Sequence, residues 1–210
     1  MISHDVPFSS QYTDLGDHEW RARGCGITSL KMVMDFWHRV TGSRCATTVD
    51  ELLARGRAIG AYIPGVGWSH RGLVNLAREY GYEGFNADHA EQAPIPKDAA
   101  EAWGLLLSEL ARGPVLASVY SGLDPHRGGG HIVVVTGFFD GLVALNDPEE
   151  MHEREGRRLI ALEVFLTAYK RRFIVIRPAE DSAVHHPTGS EATPGSRQDS
   201  SAFAVSGRRW

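Results

Sequence analysis

Arg23-Gly24-Cys25-Gly26-Ile27-Thr28-Ser29-Leu30 is the stretch on which the fold of this chain turns. A cysteine stands between two glycines, and a helical pattern begins directly after it. Ile27, Leu30, Met34, Trp37 and Val40 fall on one face, with Val33 beside them. Cys25 therefore belongs at the first turn of an amphipathic helix, which Thr41-Gly42 ends. Unpaired N–H groups and the positive end of the helix dipole favour a thiolate there. The flanking glycines leave room for a substrate backbone to approach the sulfur, as nucleophilic attack requires. A small buried hydrophobe is the alternative reading of an isolated Gly-Cys-Gly.

A second segment favours the nucleophile. His131-Ile132-Val133-Val134-Val135-Thr136 is a β-branched run that opens on a histidine directly after three glycines. Asp140-Gly141 turns it into a second apolar strand, Leu142 to Leu145, which ends at Asn146-Asp147-Pro148. The midpoint of positions 131 and 147 falls at 139, beside that turn, so antiparallel pairing makes His131 and Asp147 near neighbours. A carboxylate beside an imidazole fixes its tautomer and stabilises the imidazolium. Cysteine, histidine and carboxylate together are the nucleophile, base and orienting group of a thiol hydrolase. Gln11 is a candidate second oxyanion donor beside the Cys25 backbone N–H.

Other elements fill the order between these segments. Helices are expected over 50–58, over 70–80 behind the Ser69 cap, and over 98–112. The stretch 63–68 is rich in turns, and 90–97 reads as a proline-bearing connector. Further strands are expected at 115–120, 158–161 and 173–176, with a short helix around Val164 to Tyr169. This is an α+β arrangement, with a helical lobe over about 25–112 and a sheet lobe over about 114–178 in one domain, 1–179. From 180 to 210 aliphatics thin out among Ser, Gly, Pro and charge, and a disordered tail is expected. His70 reads as a polar surface residue, and Trp68 as a core tryptophan that can also wall a cleft with Tyr62 and the glycine loop before His131.

Composition excludes several classes. The net charge of −4 with scattered Lys and Arg gives no nucleic-acid footprint. No apolar segment approaches the ~20 residues of a membrane span, and no leader pattern opens the chain; the expectation is a soluble, cytoplasmic protein. Ten histidines without paired ligand spacing imply neither a metal nor a cofactor. Two cysteines, Cys25 and Cys45, make no disulfide framework, and a bridge between them would silence the nucleophile.

The order Val6-Pro7-Phe8, Gln11, Gly24-Cys25-Gly26-Ile27-Thr28-Ser29-Leu30, Gly67-Trp68-Ser69-His70-Arg71-Gly72-Leu73, Gly130-His131 and Asn146-Asp147-Pro148 resembles the stand-alone relatives of the double-glycine-leader cysteine peptidases. The resemblance runs over about 6–178. It implies a papain-like fold, with Cys25 as nucleophile, His131 as base, Asp147 orienting it and Gln11 at the oxyanion hole. In the leader peptidases that glutamine falls where this chain has Glu19; an insertion over Tyr12 to Glu19 would move it to Gln11. The implied substrate is a peptide or amide. Acyl transfer on the same triad and a silent binding module are the alternatives, and oligomeric state is not legible.

Overall fold

The Gly-Cys-Gly segment folds as the sequence requires. Helix α1 (Cys25–Thr41) starts on Cys25 itself and stops at Gly42, whose left-handed φ of 69° closes the last turn. The computed structural model describes residues 1–42, 47–87 and 99–179. Cys45, the expected connector and the expected tail lie outside the described residues.

In chain order the elements are β1 (Ile2–Ser3), α1, α2 (Val49–Ala58), β2 (Tyr62–Ile63), β3 (Gly67–Trp68), α3 (His70–Arg78), β4 (Tyr82–Asn86) and α4 (Ala99–Leu110). Next come β5 (Val115–Val119), β6 (His131–Phe139), β7 (Leu142–Asn146), α5 (Glu153–Gly156), β8 (Arg157–Ala161), α6 (Leu162–Ala168) and β9 (Tyr169–Pro178). Thr48 and Glu51 form a reciprocal capping box at the start of α2, and the Ser69 hydroxyl accepts from Gly72 N–H at the start of α3.

One antiparallel sheet runs β4-β9-β5-β6-β7-β8, with β1 added on β6. Alternation along the strands divides the core in two. Leu116, Ile132, Val134, Ile174 and Ile176 meet α1, α2 and α3. Val115, Ala117, Val133, Val135, Phe173 and Val175 meet α4 and α6 on the opposite face. The helices preceding residue 112 thus divide across the sheet: α1–α3 form the lobe that carries the site, while Trp103 and Leu106 of α4 sit with Phe165 of α6 behind it. No helix among the described residues is long and apolar enough to cross a membrane.

Three local readings are corrected. Val40 does not belong to the buried face of α1; it is 60% exposed in the helix's last turn. Strand β4 has no forerunner in the pattern, since Gly84 breaks the alternation of Tyr82–Asn86; its place comes from pairing with β9 at the sheet edge. The β6–β7 ladder pairs Val135 with Leu145 but Gly137 with Ala144, so Thr136 is a bulge. The freed Thr136 carbonyl accepts from His4 N–H at 2.8 Å, which ties down the N-terminal strand.

Candidate active site

Cys25 is half-buried at the first position of α1 and is a free thiol. The helix is fixed against the sheet one turn later. Ser29 Oγ donates to the Ile132 carbonyl at 2.9 Å, a buried bond one residue beyond His131. The separation of Cys25 and His131 is therefore set by a direct tie between their two elements.

The flanking glycines also serve packing. A Cβ on Gly26 would lie 2.6 Å from Cγ of Trp68, and one on Gly24 would lie 3.0 Å from Cβ of Gln11. Trp68 is 8% exposed and its indole donates to the Arg23 carbonyl at 2.6 Å. It is a core residue and a groove wall together, as its sequence position allowed.

His131 and Asp147 meet. His131 Nε2 lies 2.7 Å from Asp147 Oδ1, and both side chains are almost fully buried. The strand register places Val133, not His131, opposite Asp147, so the pair is diagonal and the longer reach of the imidazole spans it. Glu149 N–H also donates to Oδ1 at 3.1 Å, and Arg158 donates to Oδ2 at 3.2 Å. With Nε2 directed at Asp147, the other ring nitrogen takes no part in that bond, and Cys25 lines the same groove as His131.

Electrostatics follow from this enclosure. Burial opposes a charged imidazole, but hydrogen bonds and charge from Asp147 and Cys25 outweigh it and lift His131 to about 10. Burial likewise pushes Asp147 up, and the His131 hydrogen bond and charge, the Glu149 N–H and Arg158 more than reverse it; the net shift is downward. His131, Asp147 and Glu149 place three potential metal-ligand atoms close together. Two of them, however, already bond to each other in a proton-sharing geometry.

Gln11 comes to this place from outside the helix. It is 2% exposed, packs against Gly24 and donates its backbone N–H to the Pro148 carbonyl at 2.9 Å. Its Oε1 is buried and without a hydrogen-bond partner among the described residues. Glu19 is exposed on the surface loop. Gln11, not Glu19, is thus the residue that lies against Gly24, next to the cysteine in sequence.

The groove beside Cys25 and His131 has a volume of about 1320 Å³. Trp20, Tyr62 and Trp68 form an edge-to-face aromatic wall, and Gly129 and Gly130 form the opposite lip. His70 is not the surface residue expected from its helical position. It lines the groove and hydrogen-bonds Ser118 of β5 at 2.6 Å. Neither that pair nor Ser29 and Arg158 stands out in the sequence; a Ser or His on a period-2 strand or in a helix's first turn gives no signal until its neighbours across the sheet are known.

This fold and cleft define a papain-like cysteine peptidase domain. The chain belongs to the peptidase C39-like family, whose model matches residues 3–173. Among solved structures it is similar to a double-glycine-motif protease from an AMS/PCAT transporter in complex with the leader peptide: 18% identity, TM-score 0.52, covering 84% of this chain and 94% of that one. It is also similar to a C39-like peptidase from Bacillus anthracis: 18% identity, TM-score 0.53, covering 85% and 98%. No curated protein sequence matches it.

Proposed function

We propose that the chain is a thiol-dependent hydrolase that cleaves a peptide bond through Cys25, His131 and Asp147. The observation that carries this is the buried 2.7 Å His131–Asp147 bond beside a groove that Cys25 and His131 both line. The Cys25 sulfur, as thiolate, attacks the scissile carbonyl carbon. The carbonyl oxygen becomes an oxyanion, which the Cys25 backbone N–H and the Gln11 side-chain amide stabilise. As the C–N bond breaks, the His131 imidazolium gives its proton to the departing amine, leaving an acyl thioester. His131, now neutral, takes a proton from water; the hydroxyl adds to the thioester carbon and the sulfur leaves as thiolate. Asp147 keeps the ring's tautomer and orientation throughout.

A peptide as substrate is supported by the related transporter protease, which is in complex with a leader peptide, and by an open groove of about 1320 Å³ that Cys25 and His131 line. The test is incubation of the full chain with a complex peptide library, then mass spectrometry of new termini. Cleavage by wild type and none by Cys25→Ala supports the reading. Undiminished cleavage by Cys25→Ala overturns it.

A further inference from the structure

The groove carries a charge pattern opposite to that of the protein. The chain holds 22 Lys and Arg against 26 Asp and Glu. Yet five of the side chains lining the groove are Arg23, Arg57, Arg71, Lys170 and Arg172, and no Asp or Glu lines it among the described residues. The five come from both walls. Arg23 and Arg57 precede and follow the Cys25 helix on the helical side, and Lys170 and Arg172 lie on β9 at the sheet side.

The engagements of Arg23 and Arg57 leave N–H donors available. The guanidinium of Arg57 lies 4.6 Å from the Trp20 ring centroid and that of Arg23 lies 5.8 Å from it. Stacking on an aromatic face orients the fork without consuming its N–H groups. Arg23, Arg57 and Arg172 have no carboxylate partner among the described residues. Lys170 donates to the Gly129 carbonyl at 2.9 Å, beside the loop that leads into His131. Burial and the like charge of Arg172 hold its ammonium below the ordinary value, as befits a cationic site without a counter-ion. The basic strip continues past the groove, since Lys170 and Arg172 also line an adjoining depression of about 600 Å³ together with Arg171.

We infer that the groove selects an acidic peptide, one that presents several carboxylates on either side of the bond placed over Cys25. Arg57 and Arg172 each form a charge-assisted pair with a substrate carboxylate, and the positive field steers encounter. The hydrolase reading is needed only for the chemical steps after binding, so binding is measured on its own. A tetramethylrhodamine-labelled twelve-residue peptide of alanine and leucine carrying four glutamates is titrated by anisotropy against the full chain bearing Cys25→Ala. The twin peptide carries glutamines in place of the glutamates.

The acidic peptide is expected to bind about tenfold more tightly at low salt, because several exposed pairs each contribute modestly. The preference should vanish near 1 M salt, where the screening length is about 3 Å. Arg57→Glu with Arg172→Glu should remove or invert it while circular dichroism stays unchanged. Equal affinity for the two peptides, no binding by either at millimolar concentration, or a preference that survives both charge reversals overturns the inference. Acidic selectivity without cleavage by wild type would instead count against the hydrolase reading alone.

Discussion

Asp147→Asn is the perturbation whose size the structure lets one work out. Three donors converge on this carboxylate: His131 Nε2 and Glu149 N–H on Oδ1, and Arg158 on Oδ2. An amide has a single acceptor oxygen. It keeps two donors by occupying the Oδ1 position and presents its NH₂ to Arg158, which is 31% exposed and able to swing into water. The tautomer of His131 therefore survives, and what disappears is the negative charge beside a buried imidazolium. Removing one member of such a buried pair costs about 3–5 kcal/mol. If that cost falls on the state in which the ring is charged, turnover drops roughly 10²–10⁴-fold at 1.36 kcal/mol per decade. The melting temperature falls about 6–20 °C by the usual scaling for this chain length. The assay is kcat on any cleaved peptide, paired with NMR titration of the His131 ring. The ring should titrate below its wild-type value, since the Asp147 charge that helps raise it is gone while the bond to Nε2 is kept. Turnover within about threefold of wild type, far above the loss worked here, would remove Asp147 from the mechanism. An unmoved His131 titration would do the same.

Four further outcomes are expected. Gln11→Ala should lower kcat by about 10²–10³ with KM little changed, the size of one lost oxyanion donor; an unchanged kcat would leave the Gly24 backbone side of the site without that role for Gln11. Gly26→Ala drives a methyl into the Trp68 indole and should cost about 1–3 kcal/mol in urea unfolding, with quenched or shifted tryptophan emission; wild-type stability would contradict the packing described. His131 is raised in the fold, so its contribution to stability is complete below its unfolded value of about 6.5 and is lost as pH rises. Urea unfolding of wild type should therefore weaken up to about pH 10 relative to His131→Gln; parallel pH curves for the two proteins would refute the shift. Asp147, lowered in the fold, contributes above about pH 4 and loses that contribution as pH falls. Asp147→Asn should accordingly flatten the acid limb, and an identical limb in the variant would speak against it.

The parts of the site governed by local pattern were legible in the sequence. Helix α1 follows from its apolar spacing, and the Asp140-Gly141 turn, with φ of 51° and 77°, fixes a hairpin that brings His131 to Asp147. The offset in that pairing was not legible: the turn closes on Phe139 and Leu142, which sets the register, and the shift at Thr136, whose carbonyl accepts from His4 N–H, then moves His131 one position nearer Asp147. Nor was the purpose of Gly24 and Gly26, whose missing side chains make room for Gln11 and Trp68, residues distant in sequence. His70 was misplaced on the surface for the same reason: the first residue of α3 reaches across to β5, and only that approach reveals Ser118 as its neighbour. The groove's basic lining joins α2, α3 and β9, and no single window of the chain displays it.

Site-resolved alkylation probes the partnership of Cys25 and His131 without needing a substrate. Iodoacetamide is added near neutral pH to wild type and to His131→Ala, and the labelling of Cys25 and Cys45 is tracked by peptide mass spectrometry. A sulfur held beside the His131 imidazolium should react many times faster than Cys45, and lose that advantage in His131→Ala. Equal rates at the two cysteines, or a Cys25 rate indifferent to the loss of His131, would contradict an activated thiol at this site.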